Sequence, residues 1–314
     1  MELAKPSAGE WRQGRDALPT EEFSSRYADL DLWPTGDAVA AMLEGQLAAA
    51  GAVQAQASAI ARAAEAAAAR LAKPAGRLIY VGAGASGRIA VQDGVELGPT
   101  FGWASERLVY LLAGGTAALL ASVEGAEDDA GAGEAAMRAA APTPNDVVVG
   151  VAASGTTPYT VAAVRTAHAS GALTIGLAGN SGTPLLHIAA HPIFLDTGAE
   201  IVAGSTRMKA GTAQKIALNL FSTAVMLRLG RVYNGLMIAM RVSNDKLRRR
   251  AVQMICEIAR VERAAAEAAL LQAGDDIRLA TLIALGAAPE HGAASLSAAG
   301  GNLRLAIRQV KTEA

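Results

Sequence analysis

Charge is scarce in this sequence. Only 18% of its 314 residues are Asp, Glu, Lys or Arg, and 28 basic against 29 acidic residues leave a formal net charge of −1. So balanced a chain has no basic face to release counterions from DNA or to lie on anionic lipid, which excludes nucleic acid and membrane surfaces as partners. Cysteine is nearly absent. The single Cys256 excludes an internal disulfide, sits in a helical pattern as a small core residue, and points to a reducing compartment. Residues 1–23 contain no apolar run of signal-peptide length, so the chain is read as cytoplasmic with a loosely ordered start. The four histidines, His168, His187, His191 and His291, pair with no acidic residue at a metal-ligand spacing, and no metal is expected. Residues 169–195 carry no Asp, Glu, Lys or Arg, yet Gly179-Asn180-Ser181-Gly182-Thr183-Pro184 interrupts them. They therefore read as two buried strands joined by a turn and a short helix, not as a membrane span.

With 52% hydrophobic residues, the chain is long and apolar enough to bury one large core or two modest ones. Residues 36–73 are dense in Ala, Leu, Gln, Glu and Arg and form a helical lead-in, with Gly45 and Gly51 as the weak points where it would split. Short continuous apolar runs follow at 77–81, 107–113, 146–151, 173–177 and 192–195, alternating with amphipathic stretches. Continuous runs fit strands covered on both faces, and such alternation gives right-handed crossovers and a doubly wound parallel α/β sheet. After residue 205 the pattern becomes helical, from 208 to about 229 and then from 236 onward. The basic run Lys246-Leu247-Arg248-Arg249-Arg250 forms a solvated helix face, and short helices continue from 275 to 311 with turns near Pro289 and Gly300-Gly301. The expected division is an N-terminal extension (1–35), an α/β domain with flanking helices (36–245) and a C-terminal helical region (246–314).

Two loops carry chemistry. Gly82-Ala83-Gly84-Ala85-Ser86-Gly87 follows the first strand and opens a helix, the position of a dinucleotide fingerprint. The second strand, however, ends in Gly114-Gly115-Thr116 and lacks the acidic residue that would hold a ribose, so a dinucleotide is disfavoured and no cofactor is expected. What remains is glycine backbone, free helix N–H groups and the Ser86 hydroxyl, suited to an anion, with Gly84 and Gly87 permitting close approach. Ala152-Ala153-Ser154-Gly155-Thr156-Thr157-Pro158 repeats the arrangement after the third strand, with Ser154, Gly155, Thr156 and Thr157 as candidate ligand contacts. Both loops fall at carboxyl ends of strands, where such folds bind ligands. With no P-loop lysine, they suit a sugar phosphomonoester better than a nucleoside triphosphate. Ser205, Thr206, Arg207 and Lys209 stand where a long helix begins; their hydroxyls and cations suit an anion from a substrate or a partner subunit.

These loops resemble the sugar isomerase (SIS) domain. GRLIYVGAGASGR (76–88), VEGAEDD (123–129), DVVVGVAASGTTPY (146–159), GSTRMKAGTAQK (204–215) and LMIAMRVSNDKLRRR (236–250), with TEEFSSRYADLD (20–31), resemble one family within it, the N-acetylmuramic acid 6-phosphate etherases. The resemblance implies an SIS fold, a homodimer with sites near the subunit interface, and a role in cytoplasmic peptidoglycan recycling. The implied reaction turns an acidic sugar phosphate into N-acetylglucosamine 6-phosphate and D-lactate. It also implies two catalytic glutamates: Glu96 to protonate the lactyl oxygen and Glu127 to remove the C2 proton of the ring-opened sugar.

Such a pair needs one ionised and one protonated carboxyl. Val95, Leu97 and Pro99 give Glu96 an apolar sequence setting, whereas Glu127 lies among Glu124, Asp128 and Asp129; the residues alone leave the two roles interchangeable. Where the family has arginine this chain has Thr156, and Val95-Glu96-Leu97-Gly98 replaces Ser-Glu-Cys-Pro. The resemblance also admits an SIS aldose–ketose isomerase or a non-catalytic sugar-phosphate sensor akin to glucokinase regulatory protein.

Overall fold

The computed structural model describes residues 18–313, so most of the N-terminal segment read above as loosely ordered, residues 1–17, lies outside the described residues. Five short strands, β1 (Leu78–Gly82), β2 (Leu108–Leu112), β3 (Val147–Val151), β4 (Leu173–Ala178) and β5 (His191–Phe194), form one parallel sheet in the order β2-β1-β3-β4-β5. Between them run α3 (Gly84–Phe101), α4 (Ala130–Ala139), α5 (Pro158–Ala169) and α6 (Pro184–Ile188). They are preceded by α1 (Thr35–Ala55) and α2 (Ala57–Leu71) and followed by α7 (Lys209–Arg228). The expected doubly wound α/β sheet is therefore present, and residues 169–195 do form strand, turn, short helix and strand. No helix among the described residues is long and apolar enough to cross a membrane.

Alternation along the strands feeds two cores. Leu78 and Tyr80 of β1, with Val147 and Val149 of β3, pack under α1, α2, α3 and α7, while Ile79, Val81 and Val148 point the other way onto α5 and Met137 of α4. The remaining helices, α8 (Asp245–Ala259), α9 (Arg263–Gln272), α10 (Ile277–Ala284), α11 (Pro289–Ala298) and α12 (Leu303–Glu313), share a separate apolar cluster that begins with Ile238 and Met240.

Two expected details differ. The lead-in splits at Gln56, not at Gly45 or Gly51. Gly45 is buried mid-helix because a Cβ there would meet the Ile201 side chain at 2.6 Å, so close packing outweighs its weak helix propensity. The helix expected from 236 starts only at Asp245, where Asn244 caps it by accepting the Leu247 N–H; residues 233–243 run irregularly over the end of α3, with Arg241 N–H donating to Pro99 O.

Polar clamps fix the sheet to its helices. Asp146, buried at the start of β3, accepts from the backbone N–H and guanidinium of Arg77 before β1 and from the Thr143 N–H. Burial works against its ionisation, but Arg77 and these N–H groups prevail and hold its carboxyl below the usual carboxylate range. On the other face, buried Asp93 of α3 accepts from Tyr80 Oη at 2.7 Å, Asn219 Nδ2 at 2.6 Å and Ser222 Oγ at 3.1 Å, joining α3 to β1 and α7.

Asp146→Asn is expected to destabilise the fold by about 2–4 kcal/mol at neutral pH, measured by urea unfolding, because Arg77 loses its buried counter-charge. Since the native carboxyl is depressed, this contribution is present above the unfolded value near pH ~4 and disappears as pH falls through the native one. The difference between wild type and variant should shrink on acidification.

Candidate active site

The order β2-β1-β3-β4-β5 places a topological switch point between β1 and β3. From β1 the chain moves to one side of the sheet and from β3 to the other, leaving a crevice beyond their carboxyl ends. Helices α3 and α5 begin there. A cleft of about 370 Å³ occupies the crevice, lined by Gly84 and Ser86 of the first loop, Ser154, Thr156 and Thr157 of the second, Thr206, and the acidic residues Glu21, Glu127 and Asp128.

Each loop is built to present donors. Gly84 has φ +51 with open space where a Cβ would stand, so it supplies the left-handed turn that starts α3 and exposes that helix's first N–H groups to the cleft. In the second loop Ser154 Oγ lies 3.3 Å from Thr157 Oγ1 and accepts the Thr156 N–H, and Pro158 opens α5 as its first residue. The Asn180 amide, at the end of β4, donates to Ala153 O and Ser154 O and holds this loop from below. Gly87 and Gly155, expected to let a ligand approach, serve packing instead. A Cβ on Gly87 would meet Leu112 Cδ1 at 2.2 Å, and one on Gly155 would meet Thr183 Oγ1 at 2.3 Å. Neither lines the cleft.

The acidic run separates in space. Asp129 caps α4 by accepting the Ala132 N–H, whereas the Tyr159 N–H donates to Glu127 O and anchors the turn bearing Glu127 and Asp128 beside the second loop. Glu127 thus reaches the cleft and Glu96 does not. Glu96 lies twelve residues into α3, about 18 Å from Gly84 along the axis, and is exposed. Its apolar sequence neighbours do not enclose it: Leu97 turns into the core while Val95 and Pro99 stay exposed, because adjacent helical residues face different directions.

The 205–209 group is mostly committed elsewhere. The N–H groups of Lys209 and Ala210, at the start of α7, donate to the carboxylate of fully buried Glu200 at 2.9 Å each, so the protein itself fills that helix N-terminus. The Lys209 ammonium is buried and donates to Thr197 O at 2.7 Å; burial pushes its pKa down. Arg207 is exposed and, like Ser205, lies off the cleft. Only Thr206 and Gly204 of this loop line it, and no Lys, Arg or His does so among the described residues. Glu21, Asp128, Asn180 and Glu200 were not singled out as site residues in the sequence, although Asp128 falls within the family-like segment 123–129. Glu21 falls within the family-like segment 20–31, the one hint that this segment belongs to the site.

Comparison with known proteins adds an independent line. The chain is 48% identical over 290 residues to the N-acetylmuramic acid 6-phosphate etherase of Deinococcus radiodurans, covering 92% of this chain and 95% of that one. It is 44% identical over 291 residues to the etherase of Rubrobacter xylanophilus, covering 92% and 96%. The family model described as the glucokinase regulatory protein N-terminal SIS domain matches residues 59–168. Among solved structures, a phosphoheptose isomerase from Francisella tularensis superposes with a TM-score of 0.45 at 20% identity, over 62% of this chain and 98% of that one.

Lys209→Met is expected to lower stability by about 1–3 kcal/mol without changing inorganic phosphate binding, because Thr197 O loses its buried donor. Ser154→Ala should instead weaken phosphate binding while stability changes by less than about 1 kcal/mol. Calorimetry and thermal unfolding of both variants check the assignment.

Proposed function

The chain belongs to the N-acetylmuramic acid 6-phosphate etherase family, and from that premise we propose that its cleft cleaves the D-lactyl ether of N-acetylmuramic acid 6-phosphate. The observation that carries this reading is the meeting of two donor loops with Glu127 at the β1/β3 switch point. The sugar's phosphate lies over the N–H groups at the start of α3 and the hydroxyls of Ser86, Ser154 and Thr157, as helix N-termini and small hydroxyls favour.

An unactivated ether does not leave by itself. Ring opening exposes the C1 aldehyde, which acidifies the C2 proton. A carboxylate then removes that proton as the C3–O bond breaks and the departing lactate oxygen is protonated; a C2=C3 double bond forms. Water adds back across it, a hydrogen returning to C2 and a hydroxyl to C3, to give N-acetylglucosamine 6-phosphate and D-lactate. Glu127, in the cleft, is the C2 base.

In this reading Glu96 serves as the acid to the lactyl oxygen and, lying far from its own cleft, acts in the cleft of a second copy. A homodimer is supported by exposed apolar side chains on adjoining helices: Val39, Leu43 and Leu47 recur every four residues on α1, with Val95 on α3 and Leu220 and Leu227 on α7. Helix α7 packs against both α1 and α3. The etherase reading thus places each site between two chains.

Wild-type protein is expected to release D-lactate from N-acetylmuramic acid 6-phosphate, and Glu127→Gln to slow release by about 10²–10⁴-fold. Folded wild type that binds sugar phosphates but yields no lactate would refute the reaction. If each site takes Glu127 from one chain and Glu96 from the other, mixing inactive Glu96→Gln and Glu127→Gln proteins under subunit exchange should restore about a quarter of wild-type activity, because each mixed dimer keeps one intact site. No recovery, with exchange verified by mass spectrometry, would return Glu96 to its own chain.

A further inference from the structure

We propose that Glu21 is a specificity-determining residue of the cleft, its carboxylate accepting hydrogen bonds from the hydroxyl and amide donors of the sugar. This rests on the reading of the cleft as a sugar-phosphate site.

Glu21 comes from a segment far from both loops in sequence, and the structure holds that segment in place at a single buried point. Thr20, with no exposed surface, donates its N–H to Asn180 Oδ1 at 3.2 Å and accepts from Asn180 Nδ2 at 2.9 Å through Oγ1. The same Nδ2 donates to Ala153 O and Ser154 O. One amide side chain therefore fastens the N-terminal segment to the end of β4 and to the second donor loop together. The residue after this latch is Glu21, which lines the cleft. Gly204 leaves it room: a Cβ there would come within 3.3 Å of Glu21 Oε2.

The Glu21 carboxylate makes no hydrogen bond or ion pair with any described residue. The cleft lining holds both hydrogen-bonding senses. Backbone N–H groups and hydroxyls offer donors, whereas Glu21, Glu127 and Asp128 are acceptors when ionised. Repulsion disfavours a phosphate beside the three carboxylates and leaves it to the donors. The rest of the ligand then meets the acidic residues, its hydroxyls and acetamido N–H being donors to a charged acceptor. Glu127 is assigned to proton transfer; of the other two acidic residues, Glu21 is the one fastened to the second donor loop by its own Thr20–Asn180 latch and set against Gly204 of the lining, and it reads the sugar.

The test is calorimetric binding of N-acetylglucosamine 6-phosphate and of inorganic phosphate to wild type, Glu21→Ala and Glu21→Gln. The expected result is that Glu21→Ala binds the sugar phosphate about tenfold or more weakly, Glu21→Gln recovers part of the loss, and inorganic phosphate binds all three proteins alike. Equal sugar-phosphate affinity in wild type and Glu21→Ala, or an equal loss for both ligands, overturns the role of Glu21 and leaves the cleft reading standing. Wild type that binds neither ligand overturns the cleft reading itself.

Discussion

Parallel pairing of β1 with β3 governs this structure. Once those strands are neighbours, with Leu78 opposite Val147 and Gly82 opposite Val151, the helices that follow them start side by side and aim their free N–H groups at one crevice. The Arg77–Asp146 pair holds the beginnings of the two strands level, Asp93 ties α3 to β1 and α7, and Asn180 supports the second loop from the end of β4. Each clamp is a buried polar side chain with its partners supplied, so losing any one leaves uncompensated groups in the interior.

Among the described residues no lysine, arginine or histidine lines the crevice, so in the proposed reading a phosphate is held by neutral dipoles from two helix starts and by several hydroxyls. A third helix start is withheld, since Glu200 already fills the N-terminus of α7. In the same reading, the three acidic residues of the lining are left for the remainder of the ligand.

Strands and donor loops were legible because the signals are local: continuous apolar runs, glycine after a strand, and hydroxyls before a helix all act within a few residues. What was hidden depends on direction or distance. Leu97 and Val95 flank Glu96 in sequence but leave the helix on different sides, so an apolar neighbourhood in the string is no pocket in space. Lys209 looked available beside Thr206 and Arg207, and only the fold reveals that Glu200 and Thr197 claim it. Gly45 reads as a helix breaker until Ile201, over 150 residues away, is seen against it. Glu21 reaches the cleft through a contact between residues 20 and 180, which no periodicity encodes.

That contact also bears on how the protein ages. The Asn180 amide uses its oxygen to accept from Thr20 and its nitrogen to donate to Thr20, Ala153 and Ser154, so donor and acceptor cannot be exchanged. Asparagine is among the chemically fragile residues at elevated temperature. Hydrolysis of this one amide would set a carboxylate oxygen against two backbone carbonyls inside the fold. The lesion adds no bulk and cuts no bond of the chain, yet it would release the N-terminal segment and slacken the second loop together. Burial at 1% exposure keeps bulk water from that amide, and the hydrogen bonds at both its ends hold it in place.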